Sequence, residues 1–165
     1  MNELEELMQW FHGTETGEIL WTMLVSMAPI VELRGGLPIG VALGLDPTVA
    51  LCASIVGNLI PVPFIIIYIR RIFHWLRAKS SWLDDKVTRL ENRAHLKSEV
   101  VTKYGFIGLC ILVAIPLPGT GAWTGSLVAA FLDMRLKQAI PSIALGVVIA
   151  GLIVSVITYG VTAIL

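Results

Sequence analysis

Two opposite charges inside an apolar run constrain this chain more than any other feature. Residues 28–40 read Ala-Pro-Ile-Val-Glu-Leu-Arg-Gly-Gly-Leu-Pro-Ile-Gly, so Glu32 and Arg34 interrupt a stretch that is otherwise suited to lipid. An Arg or a carboxylate near the bilayer centre costs roughly 3 kcal/mol, so both must be paired, buried in protein or facing water. Pro29, Gly35, Gly36, Pro38 and Gly40 also open the backbone, and freed N–H and C=O groups at membrane depth persist only where protein buries them or a cavity hydrates them. The pattern predicts a broken, re-entrant hairpin at a functional site.

Composition sets the class. Of 165 residues, 56% are hydrophobic and 15% charged, and the mean hydropathy is +0.81, which indicates a single integral membrane domain. Formal net charge is zero, but the charges are segregated. Glu3, Glu5, Glu6, Glu15 and Glu18 precede any Lys or Arg, so the start lacks the basic n-region of a signal peptide. Cys52 and Cys110 lie in apolar runs and read as small hydrophobes, not as metal or redox groups.

Taken in order, residues 2–12 carry Leu4, Leu7, Met8 and Phe11 on one helical face opposite glutamates, which predicts an interfacial amphipathic helix within residues 1–17. The first half, residues 18–69, offers an apolar arm over 19–31 and another over 37–45. Each is shorter than the roughly 20 residues needed to span a bilayer. Asp46-Pro47 predicts a capped helix start, and residues 48–69 are long enough to cross, with a kink expected near Gly57-Asn58 and Pro61-Val-Pro63. Residues 70–103 are polar and basic, which the positive-inside rule assigns to the cytoplasm. There Leu83, Val87, Leu90, Ala94, Val101 and Tyr104 recur at helical spacing and predict an amphipathic connector on the membrane surface or against a partner. The second half, residues 104–165, repeats the plan: a short arm over 106–115, a Gly/Pro break over 116–125, a short arm over 126–132, a polar turn over 133–137 and a final spanning helix.

Shifting the chain on itself by 89 positions aligns Pro29 with Pro118, Gly36 with Gly125, Leu43 with Leu132, Ala50 with Ala139 and Gly57 with Gly146. These identities align the same element order, which predicts two inverted repeats, each a re-entrant hairpin plus a transmembrane helix. Charge agrees: Arg135 and Lys137 belong on the cytoplasmic side, whereas the turn at Asp46 holds no basic residue. The expected fold class is therefore an all-α integral membrane protein, multi-pass in the plasma membrane.

Glu32 and Arg34 lead the candidate site. A carboxyl at membrane depth can take and release a proton, and a guanidinium can hold a phosphate or carboxylate bidentately. The alternative is a buried structural pair that closes the break. Spacing of two does not put both side chains on one helical face, so pairing needs the broken backbone or a partner elsewhere. Gly35 and Gly36 complete that motif. In the second half Pro118, Gly119, Thr120, Gly121, Trp123 and Thr124 predict either an anion-binding concavity of backbone N–H groups and hydroxyls or merely a tight hairpin tip. Asn58 reads as an interhelical hydrogen-bonding residue or as part of a polar path. His12, His74 and His95 lack metal-ligand spacing, and no hydrolase motif is present, so neither a cofactor nor an enzymatic activity is expected.

Residues 32–40, Glu-Leu-Arg-Gly-Gly-Leu-Pro-Ile-Gly, and 116–125, Pro-Leu-Pro-Gly-Thr-Gly-Ala-Trp-Thr-Gly, resemble the small multidrug export proteins of bacteria and archaea over nearly the whole chain. That family is distantly similar to the DedA/VTT superfamily, which includes lipid scramblases and carriers. The resemblance implies a re-entrant-hairpin transporter, dimeric, with Glu32 and Arg34 in the first hairpin motif. The second hairpin departs from the DedA pattern, having no charge between Lys103 and Asp133. The expected function is an ion-coupled transporter or lipid flippase that moves a small amphipathic or anionic substrate between two hairpin tips. Its partners would be the lipid bilayer, a small-molecule or lipid substrate and a second copy of the chain, with no nucleic acid. The alternative is a non-transporting scaffold with a structural Glu-Arg pair.

Overall fold

The computed structural model describes residues 13–117 and 119–162, and every regular element among them is helical. The interfacial helix expected over residues 2–12 lies outside the described residues. The helices are α1 (Glu15–Met27), α2 (Glu32–Ala42), α3 (Pro47–Leu59), α4 (Pro61–Lys79), α5 (Ser81–Ala114), α6 (Ala122–Phe131) and α7 (Leu136–Thr162). They form two compact units, one of α1 to α3 with the C-terminal part of α7, the other of α4 to α6 with its N-terminal part.

In the first unit Thr14 caps α1 by accepting from the Gly17 N–H at 3.1 Å, and Glu15 and Glu18 complement the positive end of the helix. Pro29 ends α1, because the residue before a proline is driven out of the helical region and Ala28 is extended. The chain reverses over residues 28–31 and enters α2 at Glu32. The expected break at Gly35 and Gly36 is therefore corrected: the break precedes Glu32, and both glycines lie within α2. Their work is contact. A Cβ on Gly36 would collide with Ser26 Oγ of α1, and one on Gly40 would sit 2.8 Å from Thr22 Oγ1 and 3.1 Å from Ala50 Cβ of α3. Small residues here let three helices approach closely. The expected cap at Asp46 is present, its Oδ1 accepting from the Thr48 N–H at 2.9 Å, with Pro47 in the first turn of α3.

At about 1.5 Å per residue, α1 and α2 are about 20 and 16 Å long, against about 30 Å of hydrocarbon. Neither is long enough to cross alone. Two stretches are, Pro47–Lys79 and Leu136–Tyr159. The first comprises α3 and α4, which adjoin at Ile60 ahead of Pro61. Large apolar side chains such as Phe64, Ile67, Val156 and Ile157 face outward, as they would toward lipid.

In the second unit α4 and α5 pair through Phe73 and a seven-spaced stripe of Val87, Ala94 and Val101, all buried. The wider stripe expected from the sequence narrows to these three: Leu83 is only half-buried, and Leu90 and Tyr104 are exposed. Arg77 joins Asp84 and Glu91 across the pair. At Gly105 (φ 54°, ψ −120°) α5 bends sharply, and Ser142 Oγ of α7 donates to the Phe106 carbonyl beyond the bend at 2.6 Å. Residues 106–114 then pack against α6 as a second pair of short helices.

The offset of 89 residues read from the sequence holds in the backbone. α3 starts at Pro47 and α7 at Leu136. α2 and α6 end in the same cap: Leu45 N–H to Gly40 O and Gly44 N–H to Val41 O in one, Met134 N–H to Ala129 O and Asp133 N–H to Ala130 O in the other. The left-handed residue is Gly44 (φ 105°) in the first and Asp133 (φ 52°) in the second. Asp133 is not a glycine, and Arg70 braces it, with Nη1 2.5 Å from its carboxylate and Nη2 donating to the Phe131 carbonyl at 3.0 Å.

Candidate functional site in the first helical hairpin

Glu32 opens α2 in a conformation that its residue type disfavours. Its φ is +50°, in the left-handed region, where a side chain with a Cβ costs about 1–2 kcal/mol. Eighty-nine residues later the position is Gly121, with φ +120°, at the N-terminus of α6. At these equivalent positions, both of positive φ, the second unit has a residue with no Cβ and the first has a carboxylate. That carboxylate is buried, at 5% exposure, while Arg34 is half-buried. Glu32 and Arg34 interact electrostatically. A regular helix would turn the two side chains to different faces, and the positive φ of Glu32 interrupts that regularity.

The other polar groups of this unit divide into two kinds. Thr22 and Ser26 are buried, and their hydroxyls donate to the Glu18 and Thr22 carbonyls at 2.8 and 2.7 Å, an in-helix bond that satisfies them locally. Ser54 and Asn58 are different. They are 0% and 3% exposed, one turn apart on α3, and Ser54 Oγ and Asn58 Oδ1 have no hydrogen-bond partner. Asn58 was expected from the sequence; Ser54 was not, because a serine in an apolar helix ordinarily bonds to its own backbone. The signal was its i, i+4 spacing from Asn58.

In the second unit Pro118 lies outside the described residues. Gly119 and Gly121 take positive φ, and the threonine hydroxyls close the loop: Thr120 Oγ1 lies 2.7 Å from the Ile115 and Leu117 carbonyls, and Thr124 Oγ1 donates to Gly119 O at 3.0 Å. These hydroxyl contacts hold the hairpin tip together. Trp123 stands half-buried at the position that Arg34 takes in the first unit. Among the described residues no group of three or more His, Cys, Asp or Glu side chains is placed to hold a metal ion.

Residues 32–153 of the chain match the family described as "Putative small multi-drug export protein". No curated protein and no solved structure matches it.

Proposed function

The chain belongs to the small multi-drug export family, and from that premise we propose that it is a membrane transporter whose working charges are Glu32 and Arg34. The family name points to export. The observation that carries the reading further is the buried carboxylate of Glu32 on left-handed backbone, at a position where the second unit uses Gly121. Strain of this kind persists where the side chain is needed. In the proposed cycle Arg34 attracts the anionic group of a small amphipathic molecule or a lipid headgroup, and Glu32 takes up and releases a proton as its surroundings change. Hairpins of helices too short to cross support a re-entrant arrangement, and the common offset of 89 residues supports a repeat. Arg135 and Lys137 favour the cytoplasmic side for the turn after α6, and the lack of basic residues near Asp46 favours the outer side for the turn after α2, which makes the repeats inverted.

The test is transport by the purified protein in proteoliposomes, with Glu32→Gln and Arg34→Ala beside the parent. Each substitution is expected to cut the rate at least tenfold, and unchanged rates in both would discard the assignment. A second reading, a scaffold whose Glu-Arg pair is structural, draws on the electrostatic interaction of the two residues. It predicts loss of folding in both variants and rescue when the charges are exchanged.

A further inference from the structure

Ser54 and Asn58 occupy positions that the fold fills with hydrocarbon elsewhere. Eighty-nine residues later stand Ile143 and Val147, 0% and 1% exposed, on the matching turns of α7. Packing at these positions therefore needs no oxygen, and leaving an oxygen buried without a partner costs about 1–3 kcal/mol per group. Two such atoms on one face of α3 mark a site for something that supplies positive charge or a proton.

Glu32 opens the neighbouring helix α2. α2 and α3 form an antiparallel pair joined by residues 43–46, in close contact where Gly40 meets Ala50. Glu32 and Asn58 are each eight residues, about 12 Å of helix, from that contact in the same direction. Leu33 of α2 and Leu51 and Ile55 of α3 all reach Gly151 of α7, so the start of α2 lies beside the middle of α3, where Ser54 is. The charged and titratable groups of the surrounding elements are few. Arg34 is on α2 itself, α3 has no charged residue, α1 has only Glu15 and Glu18 in its first turn, and Tyr159 of α7 interacts with Asp46 at the opposite end of α3.

We propose that Ser54 Oγ, Asn58 Oδ1 and the Glu32 carboxylate form a binding site for an alkali cation, Na⁺ being the probe. The donor set is all oxygen with one negative charge, which suits a monovalent ion; a Ca²⁺ site draws on more carboxylates. The inference deepens the transporter reading and rests on it for its role. In the empty site Arg34 balances Glu32. In the loaded site an anionic substrate takes Arg34 and the cation takes Glu32, so the net charge at membrane depth stays zero in both states. The cation and a proton compete for one carboxylate.

The experiment needs no transported substrate. Thermal melting of the purified protein, and labelling of Glu32 by a hydrophobic carbodiimide read by mass spectrometry, are compared in NaCl and in choline chloride of equal ionic strength. The parent, Arg34→Gln, and the double variant Ser54→Ile with Asn58→Val, which imports the second unit's residues, are measured side by side. Na⁺ at ten times its dissociation constant is expected to raise the melting midpoint by about 3 °C and to slow labelling, more strongly in Arg34→Gln, where no guanidinium competes. Both effects disappear in the double variant. If that variant does not fold, Asn58→Val alone is used, and a reduced Na⁺ effect is expected. Equal melting in Na⁺ and choline for both the parent and Arg34→Gln overturns the site and leaves water as its occupant. A Na⁺ effect combined with unimpaired transport in Glu32→Gln and Arg34→Ala would instead keep the site and discard the two charges as the working charges of transport.

Discussion

Glu32→Gly is expected to leave a folded protein that no longer transports. The substitution gives the first hairpin the residue that the second has at Gly121, so it removes the left-handed strain, worth about 1–2 kcal/mol, together with a buried carboxylate. Against this stand the lost interaction with Arg34 and the greater freedom of glycine in the unfolded chain, about 0.5–1 kcal/mol. Arg34 is only half-buried, and its long stem can carry the guanidinium toward water or headgroups. The terms nearly cancel, so the melting stability should stay within about 1 kcal/mol of the parent. Transport should fall to background, because no group remains to carry the coupling charge. Breaking a buried structural pair has another signature, a loss of about 3–5 kcal/mol. Melting of Glu32→Gly beside Glu32→Gln therefore separates the two readings. Glutamine keeps the strain and loses the charge, so it should be the less stable of the two.

Gly57→Ala should be the most damaging single methyl group in the first unit. A Cβ there would press on the carbonyl of Met23 and lie 2.7 Å from its Cα. Both are backbone atoms, so no rotamer change relieves the clash and α1 must move away from α3. Overpacking costs typically about 1–3 kcal/mol, and this substitution belongs at the top of that range. Gly36→Ala is the control. Its closest neighbour is the Ser26 hydroxyl, which can rotate away after giving up its bond to the Thr22 carbonyl, so the loss should be smaller. Size-exclusion melting curves in detergent would order the variants; equal losses would mean that the α1 to α3 contact is looser than described. Gly146 is the counterpart in the second unit, where a Cβ would lie 2.7 Å from Val113 Cβ and 2.8 Å from the Cys110 carbonyl.

Much of the fold was legible because its punctuation is local chemistry. Pro29 and Asp46-Pro47 each act within a few residues, and helices end and begin there. The boundaries expected at residues 70 and 103 are not helix boundaries, because α4 runs on to Lys79 and α5 runs from Ser81 through Lys103. The common offset was also legible, although five identities understate it: the helix starts, the caps and the positive-φ positions at 32 and 121 coincide without sharing residues. What escaped was tertiary in origin. Gly35 and Gly36 read as helix breakers because their use as a contact surface depends on Ser26 and Val31 lying against them. The left-handed turn at Glu32 could not be foreseen from a residue that avoids it. The contacts of Thr120 and Thr124 with the carbonyls of Ile115, Leu117 and Gly119 depend on how the loop closes, which residue types alone do not tell. Ser54 became noticeable only through the absence of a partner.

The most direct test of the account is cysteine accessibility from each side of the membrane, on a background with Cys52 and Cys110 replaced, with single probes at Glu15, Asp46, Lys79 and Lys137. These positions bracket the two hairpins and the basic connector, and all four are exposed. Labelling of Glu15 and Asp46 from the outer side only, with Lys79 and Lys137 from the cytoplasmic side only, is the predicted result: each hairpin then returns to the face it entered from. Labelling of Glu15 from the cytoplasmic side with Asp46 from the outer side would contradict it, because the first hairpin would then cross the membrane and carry Glu32 and Arg34 through it as an ordinary paired bundle.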